Sequence, residues 1–328
     1  MTQPQPEISF VKSSWDSISG TQRFSHEAMA TTFEVIILHD DAHYARQAAR
    51  AAFDELDRLE AELSRLIENS DISRINNLAA NQPLSISLDT FECLWLSAKI
   101  CDETKGSFDI TIGSLLDCWL NDDKTMRTPS KEELTLARQH TGMHLLELDE
   151  AEHTVQLSTD GVQIDLGAIG KGCALDRMAK LLRDWSIDTA LIHGGFSSVL
   201  ALGAPAGTKG WPLTLSNPTN RDETLARLSL HSRALSGSGL QQGCHIIDPR
   251  LAQPVNNKFA AWACAADAAT ADALSTAFMV MSPNELKQYC LRHPDTQAMV
   301  VLEKPGKETQ KDNILRFGEW NDSISGAY

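Results

Sequence analysis

Fifteen consecutive residues, Val162 to Asp176 (VQIDLGAIGKGCALD), restrict this chain more than any other stretch. An alternating apolar run, an aspartate, three glycines around a lysine and a helical pattern follow one another without a gap. That order predicts a strand that enters a glycine-rich turn, whose far end opens a helix. Such turns leave backbone N–H groups pointing outward, and a helix start adds partial positive charge, so phosphate is favoured there. Lys171 adds a full charge at the same place. A phosphate cradle and a tight strand-to-helix connection both fit, because glycine serves each.

Two better-known loops are excluded. A Walker-type loop needs four residues between its first glycine and the Gly-Lys pair, then Ser or Thr. Here only Ala168 and Ile169 separate Gly167 from Gly170, and Cys173 stands two places after Lys171. The dinucleotide fingerprint G-x-G-x-x-G is missing as well.

The 328 residues suffice for one large domain or two lobes. A net charge of −15 argues against a nucleic-acid groove. It also means that a phosphate ligand would need a local cation, either lysine or a divalent metal. No stretch approaches the roughly 20 apolar residues of a membrane span. The N-terminal MTQPQPEISF lacks the basic start and apolar core of a signal peptide. Seven scattered cysteines, never in C-x-x-C spacing, suit free thiols in a reducing cytoplasm.

Along the chain, residues 1–20 read as an extended arm and 21–328 as a single two-lobed domain. Thr32 to His39 predicts a strand. Asp41 to Glu68 predicts a long helix, with Ala45, Ala48, Ala52, Leu56, Leu59 and Leu63 recurring at 3- and 4-residue steps. A polar turn, SDISRINN, follows. A second helix is expected from Asp89 to Thr104. Asn121 to Pro129 suits an insertion or lobe boundary, and Leu145 to Leu166 alternates like a hairpin. Cys173 to Trp185 reads as a helix. Thr189 to Leu202, Leu213 to Leu215, Leu228 to Leu235 and Cys244 to Asp248 read as short strands. Ala268 to Met281 is expected to form a largely apolar helix, and Ala298 to Leu302 a last strand. Helices alternating with runs of strands favour an α+β fold.

Asp272 and Thr276 stand four residues apart, on one face of the expected helix. The helix is otherwise built from Ala, Leu, Phe, Met and Val. A buried carboxylate must be paired or metal-bound, and oxygen donors alone suit a hard cation such as Mg²⁺. A carboxylate that merely charges the first helical turn is equally compatible. His245, at the head of a short apolar strand ending in Asp248-Pro249, is open to three roles: base, phosphate donor or core histidine. Ser107-Phe108-Asp109 follows a helix-ending glycine and fits an ordinary turn too. Gly194-Gly195 suits close ligand approach or a bulge. Ser236-Gly237-Ser238-Gly239 fits an anion nest or a flexible turn.

In order, these pieces resemble the FAD:protein FMN transferase family, also called the ApbE or thiamine-biosynthesis-lipoprotein family. Met29-Ala30-Thr31 stands for M-G-T, Gly106 to Thr111 for G-x-F-D-x-T, and Asp165 to Gly172 for D-L-G-x-I-x-K-G. His245 to Pro249 matches H-I-I-D-P, and Asp272 to Thr276 matches D-A-L-A-T. The resemblance implies mixed or antiparallel sheets flanked by helices, in two lobes around a central flavin-binding cleft. It also implies Mg²⁺-dependent transfer of FMN from FAD to a Ser or Thr hydroxyl of an acceptor flavoprotein, with release of AMP. Asp272, Thr276 and the carbonyl of Ala168 would hold the metal. Met29, Ser107, Phe108, Asp109, Asp165, Lys171 and Ile246 would line the nucleotide, and His245 would be the candidate base.

The chain departs from the family pattern at several points. Phe196 follows the paired glycines where Asp is usual, and Leu235 takes the Thr place of T-S-G. Leu66 stands for an aromatic residue, Ile110 for a proline and Ala252 for a glycine. The family's lipoprotein signal is lacking, so a cytoplasmic location is expected. Two rival activities share the same pieces. One is an FAD pyrophosphatase giving FMN and AMP; the other is a protein that binds FAD without turning it over.

Overall fold

The computed structural model describes residues 11–13, 18, 20–121, 123, 125–217, 223–240, 246–302 and 313–320. Its frame is an eight-stranded sheet in which every neighbouring pair runs antiparallel. In spatial order the strands are β16 (Ile314–Phe317), β15 (Gln297–Leu302), β14 (Lys258–Ala265), β11 (Ala234–Gly239), β8 (Ser198–Leu202), β7 (Ala190–Gly194), β3 (Thr31–Leu38) and β2 (Thr21–Ala28).

Both faces of this sheet are covered, and strand alternation sorts the side chains between them. Phe33, Val35, Ile37, Ile192, Leu200, Ala263 and Val300 face three helices. These are α1 (Ala42–Leu63), α6 (Gly170–Asp184) and α7 (Ala268–Val280). The intervening residues Ile36, Leu191, Val199, Leu235, Trp262 and Met299 face the other way. They pack on Trp211, Leu213 and Leu215 of β9 (Trp211–Ser216) and on Leu225, Ala226 and Leu230 of β10 (Thr224–Leu230). The short strand β1 (Val11–Ser13) completes that smaller sheet by pairing with β9.

The middle of the chain builds a second body. It contains α2 (Asp71–Asn76), α3 (Leu88–Glu103), α4 (Gly113–Trp119), α5 (Lys131–Gln139) and a sheet of β4 (Leu84–Ser85), β6 (Thr154–Leu157) and β5 (Leu146–Asp149). The minor hairpin β12 (Ile247–Asp248) with β13 (Gln253–Pro254) lies near α4 and α5. Val155, Leu157, Val162 and Ile164 belong to the same continuous core as Phe33 and Leu274, so the two bodies share one interior.

Several local expectations hold and several shift. Helix α1 begins where Asp41 accepts N–H bonds from His43 and Tyr44, and it buries the expected stripe from Ala45 to Leu63. It ends at Leu63 rather than Glu68, because Ser64 turns to extended backbone. SDISRINN is not a turn. Ser70 accepts from the Ser73 N–H and caps α2. Val162 to Leu166 forms no regular strand; it pairs with Ile110–Gly113 through a single bridge and two backbone bonds. Leu228 to Leu235 divides between β10 and β11, and Thr189 to Leu202 is a hairpin of β7 and β8. The Ser236–Gly239 segment is neither nest nor flexible turn but the middle of the sheet, paired with β14 throughout. Capping boxes at Ser130 with Glu133 and Ser282 with Glu285 open α5 and α8 (Pro283–Arg292), two mostly polar helices that bury few residues. Among the described residues, no helix is long and apolar enough to cross a membrane.

Candidate functional site

The glycine-rich turn delivers α6 directly onto the start of α7. A Cβ on Gly172 would lie 2.3 Å from the Ala268 carbonyl oxygen and 2.6 Å from the Ala269 Cα, so only glycine allows this approach. One turn later, Asp176 accepts N–H bonds from Ala268 and Ala269, both at 2.8 Å. Asp267 accepts from the Thr270 N–H at 2.7 Å. Two carboxylates therefore satisfy the N–H groups left free at the start of α7. Burial pushes the Asp176 carboxyl up to about 7.

That clamp aims Asp272 at the glycine turn. Its side chain is almost completely buried, and both carboxylate oxygens are engaged. Oδ2 receives the Lys171 ammonium at 3.3 Å and the Gly172 N–H at 3.2 Å. Oδ1 receives the Ser236 hydroxyl at 2.8 Å and the Ser198 hydroxyl at 3.0 Å, and these two hydroxyls lie 2.8 Å apart. One helical turn on, the Thr276 hydroxyl is 3.1 Å from Ser238 Oγ, which also meets Ser275 Oγ at 2.7 Å. Asp272 does not charge a first turn, since Asp267 fills the capping place.

Alternation on β8 and β11 explains the hydroxyls. Ser198, Ser236 and Ser238 share the helix-facing side with Leu200 and Ala234, and they meet α7 where it carries its polar residues. The sequence reading passed over Ser198. The signal that identifies it is its place two residues before Leu200 on the buried alternation of an apolar strand. Leu235 points to the opposite, strand-covered face and is wholly buried there. Its departure from the family pattern does not reach Asp272.

The same end of the sheet gathers other expected residues. Met29 sits in the β2–β3 turn at a φ of 49°, and its N–H donates to Glu60 at 2.8 Å. This turn abuts the β7–β8 turn, because the Gly195 N–H donates to the Thr32 carbonyl at 3.0 Å. Gly195 holds a φ of +64°, and Phe196 after it keeps 43% of its surface exposed.

A second group lies upstream of the glycine turn. Asp165 accepts the Gly167 N–H at 2.7 Å on Oδ1 and the Arg65 guanidinium at 3.0 Å on Oδ2, so it shapes the turn from within. The backbone N–H of Asp165 donates to Ile110 at 2.8 Å, joining this group to Ser107-Phe108-Asp109. Asp109 accepts from the Thr111 N–H and hydroxyl and from the Met143 N–H. Burial raises its carboxyl above the ordinary range, against those hydrogen bonds. Phe108 is buried in the core. The Ser107 hydroxyl is buried too, and it has no hydrogen-bond partner among the described residues. Beside Asp165, a polar depression of about 320 Å³ opens between Arg65, Leu66, Asn76, Asp117 and Gln163.

Ala168 stands partly exposed in the turn, three residues before Lys171. Ile246 is buried, and its carbonyl accepts the Val255 N–H at 2.9 Å. His245 lies outside the described residues.

The donors around Asp272 fit a hard cation. They are one carboxylate and neutral hydroxyls, and among the described residues no three His, Cys, Asp or Glu side chains converge as metal ligands. A cation at this place would share Asp272 with Lys171. Lys171 is a cation of the kind phosphate binds, and the Ser107 hydroxyl is a buried polar group without a partner among the described residues.

The family model described as "ApbE family" matches residues 29–300. This chain belongs to the ApbE family. Relatives named FAD:protein FMN transferase include that of Klebsiella pneumoniae strain 342, 27% identical over 301 residues, covering 86% of this chain and 85% of the relative. The Escherichia coli K12 protein of the same name is 24% identical over 292 residues, covering 84% and 83%. The ApbE protein of Thermotoga maritima superposes with a TM-score of 0.78 at 27% identity, over 89% of this chain and 97% of that one. The Vibrio cholerae flavin transferase ApbE superposes equally well, at 0.78, with 20% identity over 90% and 97%. At that identity the likeness speaks for the fold alone. The α+β architecture expected from the sequence is therefore the ApbE one.

Proposed function

We propose that this protein moves the FMN half of FAD onto a Ser or Thr hydroxyl of an acceptor flavoprotein, releasing AMP, in an Mg²⁺-dependent reaction. The observation that carries this reading is the joint held by Asp272. A buried carboxylate on α7 is tied to the lysine and the N–H of a glycine-rich helix start, where a pyrophosphate would meet the charge of Lys171.

In the reaction, the acceptor hydroxyl oxygen attacks the FMN-side phosphorus. A new P–O bond forms, the bond to the bridging oxygen breaks, and that oxygen leaves with AMP. Lys171 stabilises the negative charge that spreads over the phosphoryl oxygens, whereas the N–H groups of Gly167, Ile169, Gly170 and Gly172, expected to point outward, are already bonded within the protein. Asp165, tied to Arg65 and Gly167, keeps the turn in shape. Met29, Ser107, Phe108, Asp109 and Ile246 are the residues assigned to the nucleotide, and His245 is assigned the hydroxyl proton. Asp272, Thr276 and the Ala168 carbonyl would hold Mg²⁺, which when bound neutralises pyrophosphate charge and acts as a Lewis acid toward the departing oxygen. We take the site of action to be the cytoplasm, a reading supported by six free cysteines among the described residues.

The test is mass spectrometry after incubation with FAD, Mg²⁺ and an acceptor flavoprotein domain, with an EDTA control. An FMN-sized gain on an acceptor Ser or Thr that EDTA abolishes is the expected result. Free FMN with AMP would establish the pyrophosphatase instead, and intact FAD bound one to one would establish a carrier.

A further inference from the structure

Directly behind the glycine turn, two thiols meet. Cys173, in the first turn of α6, places its Sγ 3.1 Å from Sγ of Cys93 on α3, across 80 residues of chain. Cys93 is buried, whereas Cys173 is partly exposed. Cys173 directly follows Gly172, whose N–H rests on Asp272, and it stands two residues after Lys171. The Cys173 N–H also makes an early bond of α6, to Ile169 at 3.0 Å.

We propose that Cys93 and Cys173 are a redox modification site, a dithiol whose oxidation to a disulfide shuts down the adjoining phosphate-binding turn. A disulfide needs sulfurs about 2.05 Å apart. The pair must therefore close by about 1 Å, by rotation of the two side chains or by a shift of α3 or of the helix start that presents Lys171 and Gly172. A misplacement of about 1 Å at groups that orient a reaction costs on the order of 100-fold in rate.

A peroxide is a sufficient oxidant. Cys173 sulfur attacks one peroxide oxygen, the O–O bond breaks, and water leaves with a sulfenic acid formed on Cys173. Cys93 sulfur then displaces that hydroxyl, its own proton leaving with the oxygen as a second water, and the S–S bond forms. Two thiols and one hydrogen peroxide thus give one disulfide and two waters. An external dithiol reverses the change.

The hydrogen bond to Cys93, burial, and the nearby carboxylates of Asp176 and Asp272 hold the Cys173 thiol well above its ordinary range.

The inactivation half of this proposal rests on the transferase reading, whereas the disulfide itself does not. The full chain is treated with hydrogen peroxide, free thiols are alkylated, and the digest is searched for a Cys93–Cys173 linked peptide two hydrogens lighter than its parts. FAD binding and FMN transfer are measured on the same samples, before and after dithiothreitol. The expected result is the linked peptide, a loss of tenfold or more in transfer, and recovery on reduction. A Cys93→Ser variant should keep reduced-state activity and lose the peroxide sensitivity. Full thiol oxidation with no linked peptide would overturn the proposal, as would a linked protein that binds and transfers as well as the reduced one. If the reduced protein neither binds nor transfers, the transferase reading falls, and with it the inactivation half. The linked peptide then decides the disulfide by itself.

Discussion

The two faces of the large sheet use the same strands to opposite ends. On β8 and β11, Val199, Ala201 and Leu235 point to the strand-covered side, where Trp211 and Trp262 fill a largely apolar layer. Their neighbours Ser198, Ser236 and Ser238 point to the helix-covered side and converge on Asp272 and Thr276. One register step separates packing from chemistry. The polar face is tolerated because each hydroxyl has a partner, and a buried polar group without one costs roughly 1–3 kcal/mol. The lesson is that the sheet is a solid scaffold on one side and a site on the other, and substitutions should divide accordingly.

The largest effect is expected at Asp272. Asp272→Ala removes the acceptor of two hydroxyls, one N–H and Lys171, and metal-dependent FMN transfer should fall by at least about 10³-fold. Asp272→Asn, which keeps the shape, should lose nearly as much. Steady-state rates with and without Mg²⁺ check both, and unchanged activity in either variant would remove Asp272 from the reaction.

On the opposite face the loss should appear as stability instead. Trp262→Ala leaves a cavity and should cost about 3–5 kcal/mol in denaturant unfolding. Turnover per folded molecule should stay within about twofold. A large drop in turnover of the folded fraction would mean that the two faces are not separable.

Ser236→Ala sharpens the contrast at a single strand. It deletes one hydroxyl from Oδ1 of Asp272, and transfer should fall about tenfold with a stability change of only about 1 kcal/mol. Leu235→Thr, one residue away, restores the family's residue on the apolar face. It should cost about 1–3 kcal/mol through burial of a hydroxyl and leave the kinetics alone.

The smallest effect is a pH dependence at the joint between α6 and α7. Burial lifts Asp176 from its ordinary 3.8 to about 7 in the folded state. Between those values the folded protein holds a proton that the unfolded chain has released, so this contribution to stability is full below about 4 and is lost as pH rises through 7. Asp176→Asn has no such proton. The melting-temperature advantage of the natural protein over this variant should therefore shrink between pH 5 and pH 8, and a constant gap would contradict the assignment.

Local sequence rules carried much of this. The stripe from Ala45 to Leu63 is a helix because 3- and 4-residue spacing is a property of adjacent turns. Asp272 and Thr276 share a face for the same reason. The rules failed where a local pattern has two tertiary meanings. Ser236-Gly237-Ser238-Gly239 has turn composition, yet it is strand because β14 pairs with all four residues and β8 with Ser236. Val162 to Leu166 alternates like a strand but finds only a partial partner at Ile110–Gly113. Leu235 stands inside a family motif, yet the pleat places it on the far face.

By itself, the sequence determined the periodic helices, the glycine turn with its lysine, the single carboxylate on α7 and the α+β class. Each depends on residues within a few positions of one another, where backbone geometry leaves few options. Only the tertiary structure decided that Ser198 and Ser236, 74 and 36 residues away, turn their hydroxyls to Asp272. It alone decided that Cys93 lies against Cys173. Such meetings depend on strand order and helix packing across the whole chain, and no local spacing encodes which distant residues share a face.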